Sequence, residues 1–258
     1  MVWAMRAERT ALREAIRKRE YAAARLFSVC EPFSRHLARW RDDVLPDKYD
    51  HNAFEVHGLP EDAEVEAARS AQKERGLSYL KLESDEALPA AFVSRYGFEE
   101  SCTLTMALPR NISGWKRNEA VAVYELRERD FTGELLRLEL SVFGPRFGED
   151  FTRRNLLRYL EEARKNGPFH YFGAWEGERF AGGCYAIAEN GWLGLDGLVV
   201  APELRNRSIA TTLMASVLER FEPISVYLHA DRDDTPKEMY ARMGFEPVDE
   251  LYEYLTRW

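Results

Sequence analysis

The sequence predicts an α/β (α+β) protein of two related domains, each a mixed, mainly antiparallel sheet flanked by helices. Three observations predict it. The second half alternates in the order β-α-α-β-β-β-α-β-α-β, in which a meander of strands feeds a β-α-β crossover. A strand-helix-Gly-Phe-strand pattern occurs twice, as Tyr79-Leu80…Pro89…Arg95-Tyr96-Gly97-Phe98-Glu99 and as Tyr227-Leu228…Pro236…Arg242-Met243-Gly244-Phe245-Glu246. The 258 residues allow two domains of about 130 residues each, and 45% hydrophobic residues suffice for packed cores.

The elements follow in order. A charged helix is expected over about 6–25, carrying Arg6, Arg9, Arg13, Arg17, Lys18 and Arg19 beside Glu8, Glu14 and Glu20. Its mixed charge predicts a solvated face. A loop through Trp40 and Pro46 leads to a strand near Ala53–Val56, a helix over 61–75, a strand over 77–82, a short helix over 88–95 and a strand over 101–108. The string Tyr49-Asp50-His51-Asn52 reads as a hydrogen-bonded turn that locks the strand end. Asn111-Ile112-Ser113-Gly114 is the expected linker, giving domains 1–113 and 114–258.

In the second domain, residues 120–126 read as a strand and two helices follow, around 131–143 and 150–165. Asp150 or Thr152 is placed to cap the second. Three strands come next, over 169–175, 180–188 and 192–200, with Asn190-Gly191 as a hairpin turn. Ile209, Leu213, Val217 and Phe221 recur every four residues and mark a helix. A strand over 224–230, a helix over 235–242 ended by Gly244, and a final strand or hairpin over 245–255 complete the chain.

Composition excludes several classes. The net charge of −8 disfavours non-specific nucleic-acid binding. No apolar run reaches the roughly 20 residues of a membrane helix, and the first residues lack an apolar signal region. Cys30, Cys102 and Cys184 are odd in number and far apart, and the five histidines show no ligand spacing. Neither a disulfide framework nor a metal site is therefore expected, and the reducing cytoplasm is the expected compartment.

The run Leu198-Val199-Val200-Ala201-Pro202-Glu203-Leu204-Arg205-Asn206-Arg207-Ser208-Ile209-Ala210, followed by Tyr240-x-x-x-Gly244-Phe245, carries a functional signal. A loop that opens a helix presents free backbone N–H groups and the helix dipole to an anion, and Arg205 and Arg207 add charge-assisted contacts. Here the sequence resembles the GCN5-related N-acetyltransferase (GNAT) family over about 120–258, and at the end of the first half as well. The whole resembles a tandem-GNAT arrangement with a degenerate N-terminal copy.

The resemblance implies acetyl-CoA as acyl donor. Leu198, Val199 and Val200 would pair with the pantetheine, and residues Arg205, Asn206, Arg207, Ser208, Ile209 and Ala210 would hold the pyrophosphate. Asp233 would stand where many members keep an asparagine. Tyr240 would protonate the leaving thiolate, and Asp196, or a water, would act as base. By strand alternation Asp196 shares a face with Leu198 and Val200. The packing alternatives are an aromatic on an amphipathic helix for Tyr240 and an ion pair for Asp196.

Ser208 departs from the family pattern, replacing its first glycine. In the first half Val93 stands where Tyr240 stands in the second, and Asp62, Glu64 and Glu66 occupy the helix start that would face the pyrophosphate. That half is expected to be a scaffold. The expected function is acetyl transfer to a small-molecule or peptide amine by direct attack on the thioester. The alternative is a non-catalytic acyl-CoA-binding or protein-interaction module. A homodimer is compatible with the sequence, which does not fix the oligomeric state.

Overall fold

A computed structural model describes residues 2–109 and 114–258. Asn111–Ser113 of the expected linker lie outside the described residues. The chain divides into two compact units. One comprises Met1–Met106, Ala230–Lys237 and Pro247–Trp258; the other comprises Ala107–His229 and Glu238–Glu246. No helix among the described residues is long and apolar enough to cross a membrane.

The first unit contains α1 (Val2–Ala24), β1 (Val29–Pro32), β2 (Leu37–Arg41), β3 (Phe54–Val56), α2 (Asp62–Glu74), β4 (Tyr79–Ser84), α3 (Ala90–Tyr96) and β5 (Glu99–Leu108). The stretch expected as a Trp40 loop is instead the antiparallel pair β1–β2, with Trp40 opposite Cys30. Leu37 and Trp40 are buried, three residues apart, so the apolar positions do not alternate as a half-buried strand's would. The charged face of α1 is not simply solvated. Arg13 and Arg17 place their Nε atoms 2.7 and 2.6 Å from the two oxygens of Asp249, and Arg17 also pairs with Asp85.

The Tyr49–Asn52 string is a locked turn. Asn52 accepts the Asp42 amide at 2.9 Å and donates to the Leu45 and Lys48 carbonyls. At α2, Glu61 and Glu64 form a reciprocal capping box. The amides of this helix start are thus met by the chain's own carboxylates, which would oppose an anion.

The second unit contains β6 (Val121–Glu125), α4 (Thr132–Phe147), α5 (Glu149–Ala163), β7 (Phe169–Glu176), β8 (Arg179–Glu189), β9 (Trp192–Val200), α6 (Ile209–Phe221), β10 (Ser225–Asp231) and α7 (Pro236–Arg242). Its sheet order is β10-β9-β8-β7-β6. All pairs are antiparallel except β9–β10, which the α6 crossover makes parallel. Asn190 and Gly191 turn between β8 and β9 with φ of 50° and 77°, as a primed hairpin turn requires. The expected side-chain cap of α5 is absent: Gly148 is its N-cap, and the Thr152 hydroxyl donates to the Gly148 carbonyl at 2.8 Å.

The chain ends in β11 (Glu246–Arg257), one long strand rather than a hairpin. It pairs antiparallel with β4, Tyr252 opposite Ser84 and Arg257 opposite Tyr79. The first unit's sheet therefore runs β1-β2-β3-β4-β11-β5. Residues 247–258, expected within the second domain, group with the first unit.

The repeated Gly-Phe turn has one geometry in both units. After α3, Gly97 N–H donates to Ser94 O and Phe98 N–H to Val93 O. After α7, Gly244 N–H donates to Ala241 O and Phe245 N–H to Tyr240 O. Each is a Schellman turn, and each glycine takes the positive φ it demands, 65° and 94°. Val93 and Tyr240 are thus equivalent positions within the two turns.

Candidate functional site in the second unit

Two irregularities in β9 define the site. First, β9 pairs with β10 only from Trp192–Ser225 to Leu195–Leu228. Beyond Leu195, β9 continues to Val200 paired with β8 alone. One backbone edge of 196–200 is left free of β10, which an extended ligand can use as a strand would. Second, β9 carries a bulge. Tyr185 lies opposite Asp196 and Gly183 opposite Val199, so three residues of β9 span two of β8. Gly197 occupies the bulge at φ 61°, and a Cβ there would stand 2.6 Å from the Tyr185 ring. Any side chain would force strand and ring apart.

The bulge corrects the expected alternation. Asp196 shares its face with Val199, opposite Gly183, and not with Val200, opposite Gly182. Asp196 is exposed. Its Oδ2 accepts the Tyr185 hydroxyl at 2.8 Å and its Oδ1 the Gly197 amide at 2.6 Å. No ion pair involves it among the described residues, so the carboxylate is oriented by neutral donors.

A turn over Pro202–Leu204 carries β9 into the loop that opens α6. Asn206 and Ser208 have φ of 61° and 59°. Ser208 thus keeps the left-handed conformation that glycine would take freely, at a cost of about 1–2 kcal/mol. Three donors hold it there, the Thr212 amide at 3.0 Å, the Thr212 hydroxyl at 2.7 Å and the Thr211 hydroxyl at 2.9 Å, all to the Ser208 carbonyl. The Ser208 side chain makes no cap bond. The first amides of α6, at Ile209, Ala210 and Thr211, have no intrahelical acceptor and face the loop end. The two arginines differ. Arg207 pairs with Glu176 at 2.8 Å, and the Arg207 carbonyl accepts Asn118 at 3.1 Å. Arg205 is exposed, places its Nε 3.4 Å from Val200 O, and has no carboxylate partner among the described residues.

Tyr240 on α7 is buried, at 8% exposure. With Cys184, Leu195, Asp196, Leu198, Met214 and Leu228 it surrounds a cavity of about 10 Å³, room for one water. The ring packs edge-on against Phe245, 6.0 Å between centroids. Its hydroxyl has no hydrogen-bond partner among the described residues. Burial, with the Asp196 carboxylate nearby, pushes the phenol well above its ordinary range, so it stays protonated. Burial likewise raises the Cys184 thiol, which disfavours a thiolate nucleophile.

The structure therefore gathers Asp196, Leu198 and Tyr240 around one cavity, with Val199, Val200 and the 205–210 loop following on the same strand and helix. Asp233 is different. It is exposed on the turn after β10, its amide bonded to Asp231 Oδ1 at 2.8 Å, and residues 230–237 group with the first unit. Tyr185 was not expected at all. Its link to Asp196 depends on strand register, although a glycine inside strand 192–200 already signals a bulge.

The second unit is thus a mixed sheet whose neighbouring parallel strands part beside a helix-opening loop. Residues 120–245 match the acetyltransferase (GNAT) family model and form a GNAT domain. Solved structures share the fold. A conserved protein from Staphylococcus epidermidis superposes with a TM-score of 0.71 at 16% identity, over 89% of this chain and 94% of that one. A GCN5-related N-acetyltransferase from Kribbella flavida gives 0.62 at 14% identity, over 93% of each chain. A tandem GNAT protein from the clavulanic acid biosynthesis pathway gives 0.53 at 17% identity, over 86% of this chain and 78% of that one. Among curated proteins, none matches this sequence.

Proposed function

We propose that the second unit transfers an acetyl group from acetyl-CoA to a small-molecule or peptide amine. The observation that carries the reading is the parting of β9 from β10 after Leu195, which frees one edge of 196–200 just before a loop of unpartnered amides. The residues fit the donor: an open strand edge for pantetheine, and helix-start amides with Arg205 for pyrophosphate. Acetyl-CoA supplies an activated acyl thioester. The Val200 backbone amide, on the edge that β10 leaves free, holds the thioester oxygen, since the neighbouring Ala201 amide turns the other way to bond Ala181 O. Asp196, directly or through a water, takes the proton of the attacking amine. Tyr240 gives its proton to the departing sulfur. One N–C bond forms, one C–S bond breaks, and both protons are accounted for.

Titrating the chain with acetyl-CoA tests this. Binding of one equivalent is expected, weakened about tenfold in Arg205→Ala, since a charge-assisted bond contributes roughly 1.5–3 kcal/mol. No binding at millimolar acetyl-CoA would refute the reading. Ser208→Gly is expected to bind acetyl-CoA severalfold tighter, because it relieves the left-handed serine and removes a Cβ from the anion's approach. It loses no cap bond, so stability should stay within about 1 kcal/mol of the parent. Weaker binding would show that the serine hydroxyl itself holds the ligand.

A binding module without transfer is the second reading, in which Arg205 alone would meet the phosphates because Glu176 already neutralises Arg207. That reading predicts saturable acetyl-CoA binding with no thiol released across an amine panel.

A further inference from the structure

Glu139 of the second unit is a half-buried carboxylate that neither the fold nor the chemistry above uses. Phe131, Leu135 and Glu139 recur every four residues, and Phe131 and Leu135 are fully buried under α4. Glu139 thus falls on the stripe that packs on the sheet, where a leucine would serve packing better. It is half-buried. Its one hydrogen bond comes from the Tyr171 hydroxyl at 3.4 Å, and no arginine, lysine or histidine pairs with it among the described residues. Burial pushes its carboxyl up to about 7, opposed by the Tyr171 bond. A half-buried carboxylate in this state lacks a cation.

Strand register says where the cation would come from. Tyr171 of β7 lies directly opposite Tyr185 of β8, and Tyr185 directly opposite Asp196 of β9. These three side chains form one row on one face, about 10 Å long over two strand spacings. Glu139 bonds the Tyr171 end and Asp196 bonds Tyr185 at the other. Tyr159 of α5 packs edge-on against Tyr185, 5.2 Å between centroids. Two carboxylates therefore bracket an aromatic row, each with one tyrosine hydroxyl and neither with a cation.

We propose that Glu139 is a specificity-determining residue that binds a distal ammonium of the acceptor, which makes the acceptor a diamine with its reacting nitrogen at Asp196. This rests on the acetyl-transfer reading. The reacting nitrogen must be neutral to attack, whereas the distal nitrogen stays protonated and is anchored by charge. A monoamine lacks that anchor.

The test compares diaminohexane with hexylamine in the parent, Glu139→Gln and Glu139→Leu. The parent is expected to favour the diamine at least tenfold in kcat/KM, mostly through KM. Both variants should bring that ratio near one. Glu139→Leu completes the apolar stripe and should keep or raise Tm, so its loss of preference cannot be ascribed to unfolding. A parent without preference, or a variant that retains it, overturns the proposal. If neither amine is acetylated, the transfer reading fails, and calorimetric titration of the CoA-loaded chain with each amine still decides this one. Tighter diamine binding that Glu139→Gln abolishes supports it; equal binding of the two amines overturns it.

Discussion

Lys81→Met is expected to destabilise the first unit by about 3–5 kcal/mol at neutral pH, the usual loss when a buried ion group loses one partner. Lys81 lies on β4 at 4% exposure. Its Nζ stands 2.5 Å from Asp50, 2.9 Å from Glu83 and 2.5 Å from Glu253. The three carboxylates have oxygens within 4.8 Å of one another. Glu83 and Glu253 are also direct cross-strand partners, a repulsive arrangement without a cation between them. Against the burial penalty, these carboxylates raise Lys81 well above its ordinary range.

Lys48 adds a second ammonium only at Asp50, 3.9 Å away, so Glu83 and Glu253 compete for Lys81 and one of them tends to keep its proton. Burial, with Glu253 and Asp50 nearby and despite Lys81, pushes Glu83 up to about 7 from 4.5. A carboxyl whose folded pKa is raised holds its proton longer folded than unfolded. Its contribution to stability is therefore lost as pH rises from about 4.5 to about 7, by roughly 3 kcal/mol. Urea midpoints at pH 5 and pH 8 check both expectations. The parent should be less stable at pH 8, Glu83→Gln should flatten that slope, and the Lys81→Met deficit should shrink at pH 5. A deficit independent of pH would mean that Lys81 acts through packing alone.

The sequence carried the local order of this fold but not its long-range pairing. The meander was legible because Gly167-Pro168 precedes its first strand and Asn190-Gly191 turns its hairpin. The helix over 209–221 coincides with its apolar repeat. What escaped was non-local. Lys81 meets Glu253 only because the last strand inserts beside β4, and no local pattern states that pairing. Asp196 was legible as a strand carboxylate, but its orientation was not. The Gly197 bulge breaks the alternation from which its face was read, and Tyr185 becomes its partner through register alone. Ser208 was visible as a departure from glycine. The structure adds that the backbone kept glycine's conformation, pinned by Thr212. Glu139 had a signal, an acid within an apolar stripe, but one carboxylate on a charged chain does not stand out until its lack of a cation is seen.

Tyr240→Phe is expected to lower turnover about 10²-fold or more, the scale of general acid catalysis, while acetyl-CoA affinity changes little. The structure separates the two quantities. The ring packs on Phe245 and lines the cavity, and phenylalanine keeps those contacts. The hydroxyl bonds no protein group among the described residues, so removing it leaves no partner unsatisfied. Burial and the nearby Asp196 keep the phenol protonated, so it is a proton source across the whole neutral range and should add no titration of its own to the pH–rate profile there. A thiol group leaves readily, and an acid matters most when the incoming amine is poor. The loss in Tyr240→Phe should therefore grow as the acceptor amine becomes less basic. Steady-state rates for a series of amines, with acetyl-CoA binding measured alongside, decide it. Equal turnover in parent and variant would reduce Tyr240 to a packed aromatic. A parallel loss of turnover and affinity would place its hydroxyl on the donor rather than on the departing sulfur.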